Sequence, residues 1–255
     1  MKVVAIIQAR MGSTRLAGKS LLDIAGQPLL GHIIDRVRAS RDVQEIVVAT
    51  TTAAEDQELV ELARRKSVAS YRGSADDVLD RFYQAAKLLQ AEIVVRITAD
   101  DPFKDPDVID LIIGHLLANP VLDYVSNTIT PTYPEGLDVE AFRHGALSRA
   151  WREARLTSER EHVTPYIWKH PDSFTLFNVC HTVDISKMRW TLDYEEDLQF
   201  AREIYARLYR GGIFKMNDIL RLLEAEPNLG AINAGIQRNA GYLKSLEAEC
   251  HPPKS

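Results

Sequence analysis

The amino-acid sequence predicts an α/β fold with a mostly parallel central sheet and flanking helices. Short β-branched runs alternate with amphipathic stretches over the first half of the chain, as in successive βα units. Residues 3–8 read as a near-continuous apolar strand, the kind that sits at the centre of a sheet and is buried on both faces. The helical stretches open on residues that suit a helix N-terminus, either proline or acids that complement its positive end.

Residues 45–50 and 92–97 are the next strands, with a weaker one at 67–71 between them. Helices are expected over 28–38, with Pro28 at the first position, and over 55–65, 76–89 and 106–117, the last capped by Asp105. Beyond Asn119-Pro120 the pattern changes. Strands at 123–127, 137–142 and 174–179 enclose helices at 145–154 and 158–168, and helices at 194–209 and 216–224 precede a polar end. Residues 128–136, broken by Pro131 and Pro134, are expected to be the most mobile loop.

The 255 residues suffice for one large domain, in which residues of about 120–190 are expected to form an inserted cap. Phe142, Trp151, Tyr166 and Trp168 could cover a twofold interface there, though core packing would use them equally well. A formal net charge of −5 argues against a general nucleic-acid binder. The two cysteines, Cys180 and Cys250, make no metal or disulfide pattern, which favours the reducing cytoplasm. The first strand starts too early for a cleavable leader, and no run is apolar enough to span a bilayer, so no membrane partner is expected.

The strongest feature is the segment from Gln8 to Lys19, Gln-Ala-Arg-Met-Gly-Ser-Thr-Arg-Leu-Ala-Gly-Lys, directly after the first strand. Open α/β sheets bind ligands at that carboxyl edge. Arg10, Arg15 and Lys19 gather three cations, Gly12 lets backbone approach an oxyanion, and Ser13 and Thr14 add hydroxyl donors. A triphosphate needs that set. Gly18-Lys19-Ser20 resembles the end of a Walker A motif, but Ser13 stands where that motif needs glycine, and an extended piece follows instead of a helix. Strand one also lacks the Gly-x-Gly-x-x-Gly sequel of a dehydrogenase. Further along, Asp100 and Asp101 end a buried strand, and a carboxylate facing the loop there is placed to hold Mg²⁺.

With Ala9-Arg10-x-Gly12-Ser13-x-Arg15-x-x-x-Lys19 the chain resembles the cytidylyltransferases that activate acidic sugars, the CMP-sialate and CMP-KDO synthetases of glycosyltransferase-A-like fold. It is most similar to their spore-coat polysaccharide biosynthesis protein F branch, through Gln8, Arg72-Gly73-Ser74, Asp77–Arg81, Gly136–Glu140, Arg160–Tyr166 and the late Ile232-Asn233 and Arg238–Tyr242. The resemblance implies Mg²⁺-dependent transfer of CMP from CTP to an acidic sugar or related small acceptor, with release of pyrophosphate, for surface-glycan biosynthesis by a homodimer.

By the same resemblance, Arg15, Lys19 and Asp100 are the catalytic residues, and Asp100 with Asp193 holds the metal. Ala9, Arg10, Gly12, Ser13, Arg15, Lys19, Arg72, Ser74 and Thr98 bind the nucleotide, Arg72 and Thr98 at its base. Ala99, Asp101, Thr98 and Thr191 depart from the residues usual in those families, which weakens the base assignment and a two-metal site. Asn127, Asp138, Glu140, Arg160, Glu161 and His162 are candidate acceptor contacts, Arg160 through a bidentate bond to a carboxylate or phosphate. Arg81 either reaches the phosphates or pairs with Asp77. Glu195, Glu196 and Asp197 read as helix N-terminal charge. Two other functions share these features: transfer from another NTP or to a non-sugar acceptor, and a non-catalytic nucleotide-binding subunit of a glycan-assembly complex.

Overall fold

The computed structural model describes residues 1–13 and 15–250, and of Cys250 only the backbone. β1 (Val3–Gln8) leads through the loop and a 3-10 turn to a small hairpin, β2 (Asp23–Ile24) and β3 (Gln27–Pro28), then α1 (Leu29–Arg38). There follow β4 (Glu45–Thr51), α2 (Gln57–Arg65), β5 (Ala69–Gly73), α3 (Val78–Leu88), β6 (Ile93–Thr98) and α4 (Pro106–Ala118). β7 (Tyr124–Ser126) and β8 (Glu140–Arg143) precede α5 (His144–Glu153), α6 (Thr157–His162), α7 (Pro165–Trp168) and β9 (Leu176–Asn178). α8 (Glu195–Leu208), α9 (Met216–Ala225) and α10 (Ala240–Cys250) complete the described chain.

Seven strands form the main sheet in the order β5-β4-β1-β6-β8-β7-β9. β1 is parallel to both β4 and β6, and β4 to β5. Only β8 runs against its neighbours in this sheet. The chain moves outward from β1 to β4 and β5, then returns across it to β6. At such a reversal sheets of this kind have a crevice between the carboxyl ends of neighbouring strands; here these are β1 and β6, with Gln8 and Thr98 as register partners.

Alternation along β1 divides the core between the two sheet faces. Val3, Ala5 and Ile7 join α1, α4 and α8 in one cluster, while Val4 and Ile6 join Phe82 of α3, Phe142 and Leu147 in the other. Burying each large side chain contributes roughly 1.5–3 kcal/mol, and helix faces such as Leu29, Leu30, Ile33, Ile34 and Val37 on α1 supply many of them. Phe142 is one of the core residues, and Trp151 stacks on Tyr83 at a ring separation of 4.1 Å, so both pack within the chain.

Several boundaries differ from the sequence expectation. The helix expected over 158–168 breaks at Val163 (φ 73°), because the proline after Thr164 carries no N–H to continue the ladder. The strand expected over 137–142 starts only at Glu140, after a turn at Gly136 (φ 105°). A Cβ on Gly136 would lie 2.6 Å from the Trp190 carbonyl carbon, so only glycine fits. The same close approach pairs Glu135 with Arg189, and Tyr133 to Leu137 are buried, opposing the mobility expected of that loop's second half. The polar end contains a helix, α10, which packs on α6.

Candidate active site

The loop after β1 lies at the crevice. Ala9 donates its N–H to Ala49 O at 3.1 Å, extending the β1–β4 pairing, and Met11 N–H reaches Asp56 Oδ1 at 2.7 Å. Asp56 is buried and also accepts from Thr50 and Thr51. Burial pushes its carboxyl up, but these donors outweigh burial and hold it below the usual range. The loop is thus moored to β4 by a residue whose role was not apparent from the sequence. Within it, Leu16 N–H donates to Ser13 Oγ at 3.4 Å, and Gly18 turns with φ 64°. Arg10 is exposed, and Thr14 lies outside the described residues.

Cations of the loop meet the two aspartates. Lys19 Nζ lies 2.9 Å from Asp100 Oδ2 and 2.6 Å from Asp193 Oδ1, and donates to Leu192 O at 3.2 Å. Arg15 Nη2 is 2.7 Å from Asp193 Oδ1. Burial alone would raise the Asp100 carboxyl, yet the Lys19 ammonium holds it near about 2. The neighbouring Asp101 moves the other way, to about 6, because burial dominates and Asp100 adds repulsion, against attraction from Lys104. Lys104 is wholly buried, with its ammonium 2.8 Å from Asp101 Oδ2. Thr98 Oγ1 donates to Asp101 Oδ2.

Among the described residues no group of three or more His, Cys, Asp or Glu gathers as a ready-made metal centre. The two aspartates nevertheless fit Mg²⁺, which takes one or two protein carboxylates and fills its shell with water and phosphate oxygens. One ammonium already reaches both, so a small cation can do the same.

Asp193 is set by a buried ion-pair hub at the start of α8. Arg189 grips Asp197 with Nε and Nη2, each at 2.9 Å, and Glu135 with Nη1 at 2.7 Å. Asp197 Oδ2 accepts the N–H groups of Asp193 and Tyr194. Asn233 Nδ2 donates to Arg189 O and Asp197 Oδ1. Asp197 therefore does more than complement a helix end, and Arg189 was missed altogether. The conspicuous acidic run drew attention to the helix dipole, away from the arginine before it.

The remaining predicted residues divide. Arg72, at the end of β5, donates to Thr51 O at 2.9 Å and Ala53 O at 2.7 Å, on the same sheet edge as the loop. Ser74 Oγ accepts from Asp76 and Asp77 N–H. Arg81 is buried and donates to Ser74 O, while Asp77 pairs with Arg160 at 2.7 Å, so of the two alternatives for Arg81 the Asp77 pair does not form. Burial, with Arg10 nearby, lowers the Arg81 guanidinium to about 10.

On the acceptor side, Asn127 bonds Leu137 O and Val139 N–H, and Glu140 accepts from Tyr124, Thr164 and Arg96. A buried carboxylate needs such partners. Asn127 and Glu140 are thus buried among protein partners, and Arg160 is half-buried against Asp77. Asp138 and His162 face the C-terminal segment: Asp138 Oδ1 accepts from Arg238 at 2.7 Å, and His162 Nε2 lies 3.0 Å from Ser245 Oγ, as Glu161 accepts from the same hydroxyl. Burial, reinforced by Arg96, lowers the His162 imidazole to about 4.

A cationic loop and acidic strand ends at the switch point of a doubly flanked parallel sheet define a nucleotidyltransferase-like site. Residues 4–224 match the model of the cytidylyltransferase family, and this chain belongs to that family. It is 36% identical to an uncharacterised protein of Methanocaldococcus jannaschii over 94% of this chain and 98% of that one. It is 30% identical to the spore coat polysaccharide biosynthesis protein SpsF of Bacillus subtilis, covering 89% of this chain and 95% of that protein. Among solved structures, a cytidylyltransferase from Leptospira borgpetersenii superposes with a TM-score of 0.86 at 33% identity, over 90% of this chain and 96% of that one. No helix among the described residues is long and apolar enough to cross a membrane.

Proposed function

We propose that this enzyme transfers CMP from CTP to an acidic sugar or related small acceptor, releasing pyrophosphate, in surface-glycan biosynthesis. The observation that carries the proposal is Lys19 bridging Asp100 and Asp193 while Arg15 holds Asp193. Opposite charges converge there at a ligand-binding sheet edge, from three separate parts of the chain. Family membership adds support, as do the names of two relatives, SpsF of B. subtilis and the 3-deoxy-manno-octulosonate cytidylyltransferase of Geobacter sulfurreducens, the latter 37% identical over 48% of this chain.

In this reading Arg10, Gly12 and Ser13 position the triphosphate, and Arg15 and Lys19 exchange their carboxylate partners for its oxygens. Their charge then stabilises the departing pyrophosphate, a form of electrostatic catalysis. Asp100 and Asp193 would hold Mg²⁺, which neutralises phosphate charge when bound. The Lys19 ammonium holds the Asp100 carboxyl below the usual range, and so ionised, until a cation takes its place. Arg72 and Thr98 stand on the base side. The acceptor oxygen attacks the α-phosphorus as the α–β bridging oxygen leaves with pyrophosphate, so no protein nucleophile is required.

The test is pyrophosphate release from each of the four NTPs with Mg²⁺ and a panel of sugar acids that includes 3-deoxy-manno-octulosonate and N-acetylneuraminate. Release confined to CTP with an acid is expected. Turnover with another NTP would reassign the donor, and CTP binding without any turnover would favour a non-catalytic subunit.

A further inference from the structure

A buried N–H or O–H that meets no acceptor costs about 1–3 kcal/mol, so a folded chain keeps few of them. Among the described residues three side-chain atoms are stranded in this way: Arg81 Nε, Arg238 Nε and the Tyr242 hydroxyl. Two of the three lie within five residues of each other, where the chain enters α10.

That segment spans the site. Asn233 bonds the Arg189–Asp197 hub that sets Asp193. Arg238 donates from Nη2 to Asp138 and from Nη1 to Tyr133 O at 3.2 Å, and Asn239 N–H donates to Glu135. Gly241 lies against the phosphate loop, where a Cβ would come within 3.5 Å of Arg15 Nη1. Tyr242 then meets His162 edge-on at 5.0 Å, with Trp168 at 6.0 Å and Lys169 Nζ over its ring at 5.7 Å. Ser245 and Glu249 fasten the rest of α10 to α6. The strap thus runs from the carboxylate hub, past Arg15, to the residues 138 and 162 that face it.

We propose that residues 238–242 form a wall of the acceptor pocket, in which Arg238 and Tyr242 recognise a small polyhydroxylated carboxylic acid. Arg238 Nε is a donor and the Tyr242 hydroxyl can donate or accept, so a partner rich in oxygen suits both: a carboxylate for Arg238 Nε and a hydroxyl for Tyr242. Asp138, held by Arg238 and about a quarter exposed at 28% of its side chain, is left to accept from a further hydroxyl. The proposal rests on the cytidylyl-transfer reading, for which it names the acceptor-binding residues.

Tyr242→Phe is the clean test, because the lost hydroxyl has no partner among the described residues and its removal should leave the melting temperature unchanged or raised. Binding of CTP, and of 3-deoxy-manno-octulosonate and N-acetylneuraminate in the presence of a non-hydrolysable CTP analogue, is measured by calorimetry on the full chain. Tyr242→Phe and Arg238→Gln are expected to bind CTP as the unaltered protein does, and to lose about tenfold or more in affinity for the acid. Acid affinity within twofold of the unaltered protein in Tyr242→Phe overturns the proposal. An unaltered protein that binds CTP but neither acid overturns the ligand class assigned to the strap. Failure to bind CTP at all refutes the cytidylyl-transfer reading instead.

Discussion

Glycine at position 12 is not required by the fold. Among the described residues a Cβ placed there would meet only Glu55 Oε1, at 3.8 Å, an ordinary contact, and the backbone is not in the left-handed region. Gly136 is the opposite case, locked in by the backbone of Trp190 and Thr191. The two glycines therefore give different phenotypes. Gly12→Ala should fold with a stability within about 1 kcal/mol of the original, since alanine reduces the freedom of the unfolded chain at a compatible site. It should nonetheless weaken CTP binding about tenfold or more, because the added methyl occupies the path of an oxyanion towards the loop amides. Parallel denaturant melts and CTP titrations read the two effects separately. A variant that binds CTP normally would remove Gly12 from the phosphate cradle. Residues of this kind were legible in the sequence because their chemistry is local: three cations, a glycine and hydroxyls within twelve positions have few uses other than an anion. Arg189, Lys104 and Asp56 were not legible, since a lone buried charge is recognised only by partners brought from distant strands and helices.

At the level of elements, the start of α8 illustrates how a carboxylate proposed to hold the metal is positioned. Asp197 caps the helix through the N–H groups of Asp193 and Tyr194 and at the same time balances Arg189, which is nearly inaccessible. Removing the charge from one side of such a pair leaves the other buried and uncompensated, which costs about 3–5 kcal/mol. Asp197→Asn keeps the shape and part of the capping, so the expected loss of stability lies towards the lower end of that range. Activity should fall further than stability predicts, because Asp193 would no longer be fixed opposite Lys19. Thermal denaturation and the kcat for CTP turnover, measured at a temperature where the variant is fully folded, test this. Unchanged kcat in the folded variant would reduce Asp197 to a purely structural part. The helices themselves were foreseen from their apolar periodicity and N-terminal acids, whereas α10 was not, its sequence being polar and its order arising from bonds to α6, Glu135 and Asp138.

Across the whole molecule, the ion pairs of the site join segments that share nothing but the sheet. Lys19 and Asp193 are 174 positions apart, and Lys19 and Asp100 are 81 apart, yet both contacts form at the reversal of strand order between β1 and β6. The sheet was foreseeable from the βα alternation up to β6. Beyond it, β7 and β9 fall inside the strands expected over 123–127 and 174–179, whereas β8 starts three residues later than expected and its antiparallel direction came only from the structure. The closed network of charges has a thermodynamic consequence. A divalent cation reaching Asp100 and Asp193 must compete with the Lys19 ammonium, and a triphosphate reaching Lys19 and Arg15 must compete with those carboxylates. Each ligand removes the obstacle to the other, so their binding free energies are coupled with positive sign. Melting curves should therefore show little shift with Mg²⁺ alone at millimolar concentration, a modest one with CTP and EDTA, and with both together a shift larger than the sum. In Lys19→Met the carboxylates lose the cation they share, with Arg15 left on Asp193, so the protein alone should melt lower while Mg²⁺ alone becomes stabilising, and the coupling with CTP should shrink. Additive shifts in the unaltered protein, or a Lys19→Met variant as indifferent to Mg²⁺ as its parent, would mean that the ammonium does not stand where the metal binds.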